Sequence, residues 1–143
     1  MKLLILNGVN LNMLGIREPD VYGHTTLPEL EAELIKYGSE RGCETVCCSS
    51  NNEGELINII HSAYGTVSGI IINAGAYSHY SYALRDAIAA VSIPTVEVHI
   101  SNVFKRESFR HVSVIAPVCC GYISGLGIHG YKAAVDYLIN INR

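Results

Sequence analysis

Five short apolar runs alternate with stretches of helical periodicity along this chain, and no other feature constrains its fold as strongly. The runs occupy residues 2–8, 44–49, 69–73, 95–101 and 112–123. Continuous runs rich in valine and isoleucine, such as 69–73, are typical of strands that are buried on both faces of a sheet. Because strands that alternate with helices build a parallel sheet covered on both faces, the sequence predicts an α/β fold.

The stretches between the runs carry the start and stop signals of helices. Thr26 precedes the first helical pattern, with Pro28 in the first turn and Glu29 three residues on, which is the spacing of a capping box. Gly42 suits the end of this helix. Further helices are predicted at 53–64, 82–91 and 128–141, with a short helical element near 103–107.

The number of strand–helix units also predicts how the sheet is ordered. Right-handed crossovers leave few topologies for five such units, and the commonest is the flavodoxin-like strand order 2-1-3-4-5. We therefore predict a flavodoxin-like, three-layer fold with a five-stranded parallel sheet, formed by residues 1–143 as a single domain. Ligands of such folds bind beyond the carboxyl ends of the strands, where the strand order reverses. The loops at 8–25, 73–81 and 99–111 should converge there.

Charge and hydropathy exclude several classes of partner. The net charge is −3 and no basic run exists, so binding to nucleic acid is not expected. The apolar start of the chain stops at Asn7, too early for a secretory signal, and no apolar run approaches the roughly 20 residues of a membrane span. Charged residues make up only 16% of the chain. This low fraction predicts contact between copies of the chain, although an apolar composition alone would also account for it.

The cysteines favour a reducing compartment. Cys43, Cys47, Cys48, Cys119 and Cys120 are odd in number and include two adjacent pairs, which is a poor disulfide framework. Adjacent side chains in a strand also point to opposite faces. We therefore predict free thiols in a cytoplasmic protein.

The loops that are predicted to converge are rich in polar residues, and the first contains a potential base. A tyrosine is a weak base at neutral pH, but a nearby arginine stabilises its anion. Arg17 and Tyr22 both lie in the loop at 8–25, whose length is typical of lids. Tyr22 could equally be a solvent-exposed loop residue.

Two histidines follow neighbouring predicted strands. His99 ends the fourth strand two residues after Glu97, so the two side chains point to the same face. A carboxylate beside an imidazole fixes its tautomer and favours the protonated ring, as suits a general acid. His79 follows Asn73, which ends the third strand. Either histidine alone could be a packed or capping residue.

Three further patterns depend on the spacing of their residues. Arg106 and Arg110 are four apart and could clamp a substrate carboxylate from one helical face, although a solvated face fits as well. The glycines at 125, 127 and 130 match a dinucleotide fingerprint by letter, but too near the chain end for the βαβ unit that it requires. The histidines at 79, 99 and 111 lack the spacing of metal ligands, so no metal site is predicted.

Four blocks of the sequence resemble those of the type II 3-dehydroquinases. They are NGVNLNMLGIREPDVYG at 7–23, NAGAYSH at 73–79, EVHISNVFKRESFRH at 97–111 and GYISGLGIHGY at 121–131. The resemblance extends over nearly the whole chain. Val9 departs from the pattern, because the family usually has a proline there, and proline would restrict the entry to the following loop.

The resemblance implies an activity and an assembly. It implies a lyase that removes water from 3-dehydroquinate by anti elimination, through an enolate, to give 3-dehydroshikimate in the shikimate pathway of aromatic amino acid biosynthesis. No cofactor is implied. A cytoplasmic homododecamer, built as a tetramer of trimers, is implied as well.

The resemblance also implies the roles of individual residues. Tyr22 would take a proton from C2 of the substrate, Arg17 would keep it anionic, and Asn10 would hold a water against the enolate oxygen. His99 would protonate the departing C1 hydroxyl, with Glu97 orienting it. The residues implied in substrate binding are Asn73, His79, Asp86, Ile100, Ser101, Arg106 and Arg110. Arg106 would also help to close the lid, and Asp86 would reach toward the site of a neighbouring subunit.

Two other classes of protein stay open at this point. A flavin- or nucleotide-binding module is suggested by the predicted fold alone, which is a weak basis because one fold hosts many functions. A pure assembly protein is suggested by the low charge fraction, but it would leave the polar loops unexplained.

Overall fold

The structure is a computed structural model that describes residues 1–143, and it contains the predicted five-stranded parallel sheet. The strands are β1 Lys2–Asn7, β2 Glu44–Ser49, β3 Gly69–Asn73, β4 Thr95–His99 and β5 Gly121–Ser124. The helices are α1 Pro19–Tyr22, α2 Leu27–Ser39, α3 Glu53–Ala63, α4 Tyr82–Val91 and α5 His129–Ile141. The strand order is β2-β1-β3-β4-β5, which confirms the flavodoxin-like prediction. No helix is both long enough and apolar enough to cross a lipid bilayer.

The two faces of the sheet bury alternate residues of the interior strand β1. Leu3 and Ile5 of β1 belong to a cluster that contains Leu34 of α2 and Leu138 of α5. Leu4 and Leu6 belong to a second cluster with residues of α3 and α4. Because successive side chains of a strand point to opposite faces, one continuous apolar run supplies both cores. Each fully buried leucine or isoleucine contributes about 1.5–3 kcal/mol.

The helix starts follow the capping signals in the sequence. The Thr26 hydroxyl accepts a hydrogen bond from the Glu29 amide at 3.4 Å, as predicted. Asn52 caps α3 in the same way, and Ser81 caps α4. Side-chain oxygens at these positions satisfy backbone amides that have no partner within the helix.

The last apolar run was wrongly predicted as one long strand. Only Gly121–Ser124 pairs with β4, and the preceding residues 112–120 form a loop with a 3-10 turn at Ala116–Val118. Pro117 lacks the amide hydrogen that a strand would need. The Val114 amide donates a hydrogen bond to the Ser78 carbonyl oxygen at 2.8 Å, away from the sheet. This loop therefore packs beside the carboxyl end of β4.

The region between β4 and that loop also differs from its prediction. The strand ends at His99, not at residue 101. The helical element near 103–107 is a 3-10 turn at Val103–Lys105, and a second 3-10 turn follows at Ser108–His111. Because Arg106 has an extended backbone between these two turns, the polar residues here do not share one helical face.

Close approach of two loops brings the carboxyl ends of β1 and β3 together. A Cβ atom on Gly8 would lie 2.7 Å from the carbonyl oxygen of Ala74, and one on Gly75 would lie 2.6 Å from that of Val9. Gly75 also has a φ of +61°, which favours glycine. Glycine at both positions therefore allows the two loops to touch.

Replacing Val9 by proline is expected to stabilise the protein by about 0.4–1 kcal/mol. The Val9 amide donates no hydrogen bond and Val9 is not among the residues with positive φ, so proline removes no hydrogen bond, while the unfolded chain loses conformational freedom. Urea unfolding followed by circular dichroism should show a higher midpoint than the native protein. Val9→Ala is the control, because it shortens the side chain without restricting φ. A midpoint for Val9→Pro at or below that of the native protein would contradict the prediction.

Candidate active site

A pocket lies beyond the carboxyl ends of β1, β3 and β4, where the strand order reverses. Its lining includes every residue for which a role was predicted, except Glu97 and Asp86. Those that line it are Asn10, Arg17, Tyr22, Asn73, His79, His99, Ile100, Ser101, Arg106 and Arg110. Glu97 is buried directly behind His99, whereas Asp86 lies exposed on α4. The three loops predicted to converge do so.

The Tyr22 hydroxyl accepts a hydrogen bond from the guanidinium of Arg106. Arg106 is only 12% exposed, and it also lies 3.4 Å from the Ser101 hydroxyl and 3.3 Å from the Glu18 carboxylate. Tyr22 ends the short helix α1, which is part of the long loop after β1. A partly buried positive charge therefore sits against the tyrosine oxygen.

Arg17 contacts the tyrosine ring and does not bind its hydroxyl. Its guanidinium carbon lies 5.7 Å from the centroid of the Tyr22 ring, and its Nη2 lies 3.4 Å from the Glu18 carboxylate. Glu18 has a φ of 44°, in the left-handed region that glycine favours, and it begins α1. This turn places the Glu18 carboxylate between Arg17 and Arg106. The arginine that touches the hydroxyl is therefore Arg106, whereas the sequence had suggested Arg17.

Glu97 and His99 form a buried pair at the end of β4. The Nε2 atom of His99 lies 2.8 Å from Oε1 of Glu97. The two side chains therefore lie on the same face of the strand, as the sequence predicted. The glutamate is fully buried, while the histidine is 8% exposed and lines the pocket. The Ser113 hydroxyl lies 2.7–2.8 Å from both carboxylate oxygens. Sequence reasoning missed Ser113, because it fell inside the run that was predicted as a strand.

His79 faces His99 across the pocket as a neutral imidazole. The two rings are stacked, with centroids 5.9 Å apart and planes 16° from parallel. Nδ1 of His79 lies 2.8 Å from the Val112 carbonyl oxygen, so it carries the hydrogen and donates it. Burial lowers the pKa of His79 below its usual range, and the hydrogen bond to Val112 opposes this only in part. The Nε2 atom of His79 is therefore a hydrogen-bond acceptor at neutral pH.

A buried chain of hydrogen bonds orients Asn73. The Tyr131 hydroxyl donates to Oδ1 of Asn7 at 2.6 Å and accepts from Nδ2 of Asn73 at 2.9 Å. The Gly75 amide donates to Oδ1 of Asn73 at 3.2 Å. Burial raises the pKa of Tyr131, so it stays protonated. Sequence reasoning gave Tyr131 no role, although it ends the fourth block of the family resemblance and lies in the predicted last helix.

Asn10 is held by the loop that follows β2. Its φ is 67°, and its amide donates to Oδ1 of Asn51 at 2.8 Å. The Asn51 carbonyl in turn accepts from the Tyr77 hydroxyl at 2.8 Å. Asn51 was also missed, because no motif includes it. These contacts fix the backbone of Asn10 and leave its side chain at the pocket lining.

The predicted clamp of two arginines on one helical face is wrong in its geometry. Arg106 has an extended backbone between two 3-10 turns, and Arg110 lies within the second of them. Arg110 forms an ion pair with Glu107 and lies over the ring of Phe109, 4.6 Å from its centroid. The hydrogen bond from Arg110 lowers the pKa of Glu107. Both arginines nevertheless line the pocket, at separate positions.

Comparison with known proteins identifies the family of the chain and agrees with its fold. Residues 1–139 match the family described as dehydroquinase class II, and the chain belongs to that family. It is 56% identical to the 3-dehydroquinate dehydratase of Bacillus licheniformis, over 99% of this chain and 97% of that protein. It is 55% identical to the enzyme of the same name from Anoxybacillus flavithermus, over 98% of this chain and 95% of that protein.

Solved structures give the same result. The type II dehydroquinase from Butyrivibrio crossotus superposes with a TM-score of 0.96 at 51% identity, and the alignment covers 97% of each chain. A 3-dehydroquinate dehydratase-like protein from Bifidobacterium longum is more distant, with a TM-score of 0.75 and 32% identity over 100% of this chain and 98% of that one.

Proposed function

We propose that the pocket dehydrates 3-dehydroquinate, with Tyr22 as the base and His99 as the acid. The chain is a type II 3-dehydroquinate dehydratase, a hydro-lyase of the shikimate pathway. One observation carries the assignment of residues: the Tyr22 hydroxyl, held by Arg106, shares a pocket with the His99–Glu97 pair. A base and an acid in one pocket are the two groups that this elimination needs.

The first step removes a proton from C2 of the substrate. A hydrogen next to a ketone is only moderately acidic, so its removal needs both a base and stabilisation of the enolate oxygen. Tyr22, as tyrosinate, takes the proton, and the electron pair moves to the ketone oxygen. Arg106 and Arg17 stabilise the tyrosinate with their charge. Asn10 stabilises the enolate oxygen through a bound water.

The second step expels the C1 hydroxyl. The enolate electrons return to form the carbon–carbon double bond, and the C1–O bond breaks with its electron pair on oxygen. His99, oriented by Glu97, gives that oxygen a proton, so that water leaves. Tyr22 then loses its proton to solvent. Base and acid come from the loop after β1 and from the end of β4, which suits the opposite faces of an anti elimination.

The remaining polar residues of the pocket hold the substrate. We assign Asn73, His79, Ile100, Ser101 and Arg110 to its hydroxyl and carboxylate groups. Arg106 also bridges Ser101 to Glu18 on the loop after β1, so it helps to close that loop over the substrate. Closure excludes water and strengthens every charged interaction inside the pocket.

The assembly that we propose is a homododecamer, built as a tetramer of trimers, in which Asp86 reaches the site of a neighbouring subunit. Two features support it. Asp86 is exposed on α4 and does not line the pocket of its own chain. Tyr82, on the same helix, is 68% exposed. Light scattering should give the mass of twelve chains, and a monomer at micromolar concentration would exclude the proposal.

The compartment that we propose is the cytoplasm. All five cysteines are free thiols, and burial raises the pKa of Cys47 and of Cys119 to about 12, so neither is poised to react as a thiolate. Cell fractionation with a cytosolic marker tests this, and recovery of the protein with a secreted fraction would exclude it.

The activity is tested by mixing purified protein with 3-dehydroquinate and following the ultraviolet absorbance of the conjugated enone product. We expect absorbance to rise with no metal or cofactor added and to be unaffected by a chelator. Treating the enzyme with borohydride in the presence of substrate, then removing both, should also leave the rate unchanged, since no imine is formed. No rise from folded protein at several pH values would reject the proposed function.

A further inference from the structure

The loop that follows the second 3-10 turn carries a hydroxyl that the proposed mechanism does not use. Ser113 lies in the segment 112–120, between the pocket and β5. Its Oγ atom lies 2.8 Å from Oε1 and 2.7 Å from Oε2 of Glu97, so it faces the whole carboxylate. Glu97 has no exposed surface, and its other partner is Nε2 of His99.

The hydrogen bonds around Ser113 have only one consistent direction. The Ala116 amide donates to the Ser113 oxygen at 3.0 Å. An amide N–H is only a donor, and a serine hydroxyl has a single hydrogen. The hydrogen of Ser113 must therefore point to Glu97. The carboxylate accepts it on one side and accepts from His99 on the other.

The contact with Glu97 determines which nitrogen of His99 carries hydrogen in the neutral ring. An ionised carboxylate has no hydrogen to donate, so Glu97 binds Nε2 of His99 as an acceptor and Nε2 carries the hydrogen. The Ser113 hydroxyl, which lies against both carboxylate oxygens, holds the carboxylate in the orientation that meets Nε2. The atom left to gain and release a proton is Nδ1, on the ring that lines the pocket. The same loop fixes the other imidazole, because the Val112 carbonyl binds Nδ1 of His79.

We propose that Ser113 is a positioning residue, which acts through Glu97 to keep hydrogen on Nε2 of His99 and so makes Nδ1 the atom that protonates the leaving group. This inference rests on the proposed function. As the C1–O bond breaks, its electron pair stays on oxygen, which takes the proton from Nδ1. The ring is left neutral with hydrogen on Nε2, and solvent returns the proton to Nδ1.

The other groups around this pair do not replace Ser113. His79 stacks on His99 as a neutral ring, and Tyr122 lies with its ring centroid 5.7 Å from that of His99. Burial raises the pKa of Tyr122 and of the Cys119 thiol, which lies near Glu97, so both stay neutral. Arg110 is the nearby cation, and its partner is Glu107. Ser113 is thus the one residue whose hydroxyl donates to the Glu97 carboxylate.

The kinetic test is Ser113→Ala, measured with 3-dehydroquinate across a range of pH. We expect kcat to fall about tenfold, because His99 loses part of its alignment as the acid. KM should stay within about twofold, and the pH dependence of kcat should change. Ser113→Thr keeps the hydroxyl and should restore most of the rate. Ser113→Cys, a weaker donor of similar size, should be intermediate, and it replaces the alanine variant if that variant does not fold.

Ser81 provides a matched control. Its hydroxyl also accepts a backbone amide, that of Leu84 at 3.1 Å, and donates to a carboxylate, that of Glu53 at 2.5 Å. Glu53 has no histidine partner, so Ser81→Ala should keep kcat within about twofold even where it costs stability. An equal fall of kcat in the two alanine variants would show a general structural effect and would overturn the proposal.

The tautomer itself is tested without substrate. In protein labelled with 15N-histidine, nuclear magnetic resonance should show hydrogen on Nε2 of His99, and Ser113→Ala should move the Nε2 signal or populate the other tautomer. Hydrogen on Nδ1 in the native protein, or identical spectra in the two proteins, would overturn the inference. Because this readout needs no turnover, it stays separate from a failure of the proposed function, which the enone assay on the native protein would reveal.

Discussion

Replacing Tyr22 by phenylalanine is expected to lower kcat for 3-dehydroquinate by about a thousandfold, with KM within about threefold. The change removes one oxygen atom, the one that Arg106 binds, and leaves the ring that contacts Arg17. Substrate binding depends on the other polar residues of the pocket, so it should survive. The loss falls on the transition state, since water at the same place is a much weaker base than tyrosinate. Steady-state kinetics by enone absorbance measures both constants.

Tyr64→Phe is the control for this experiment. Tyr64 follows α3, is 71% exposed and does not line the pocket, so the same chemical change there should leave kcat unaltered. Far-ultraviolet circular dichroism checks that both variants are folded. If Tyr22→Phe turned over at the native rate, Tyr22 could not be the base.

The second large effect is expected from Arg106→Gln, with kcat about a hundredfold lower. Glutamine keeps a polar side chain of reduced length but has no charge, so Tyr22 loses the cation that binds its hydroxyl and keeps only Arg17 against its ring. The contacts to Glu18 and Ser101, which hold the loop after β1 against the end of β4, weaken as well.

Arg41→Gln is the matched control for this substitution. Arg41 pairs with Asp136 at 2.9 Å, between α2 and α5, and does not line the pocket. It should lose no activity, and its exposed ion pair contributes at most about 1 kcal/mol to stability. A rate for Arg106→Gln that equals the native rate throughout the pH range would contradict the assignment.

Much of the fold could be predicted because strand and helix signals in this chain are local. The buried run at 69–73 is a strand from end to end, and the Thr26 cap begins α2 as its sequence pattern indicates. The prediction failed at 112–120, where apolar residues form a loop. Periodicity cannot separate a buried strand from a buried loop when both are apolar. Pro117 was the local signal that could have ended the strand prediction.

The site could be predicted only in part, because many of its contacts join residues that are far apart in the sequence. The ends of parallel strands fall at one edge of the sheet, so strand order alone brought His79, His99 and the loop of Tyr22 together. Contacts between side chains of different loops follow no such rule. Arg106 rather than Arg17 binds the Tyr22 hydroxyl because Arg106 has an extended backbone between two turns. The contacts of Ser113 and Tyr131 depend on how distant parts of the chain pack together.

The bond between Tyr22 and Arg106 joins positions that are 84 residues apart in the chain. A contact of such separation forms only after a long loop has closed, and closing it costs chain entropy before the contact contributes anything. As the ribosome makes the protein, the tyrosine emerges long before its arginine, and β3 and β4 must pair in between. The nascent chain is therefore catalytically silent until Arg106 has been synthesised, and in refolding the return of activity requires that β3 and β4 have already paired.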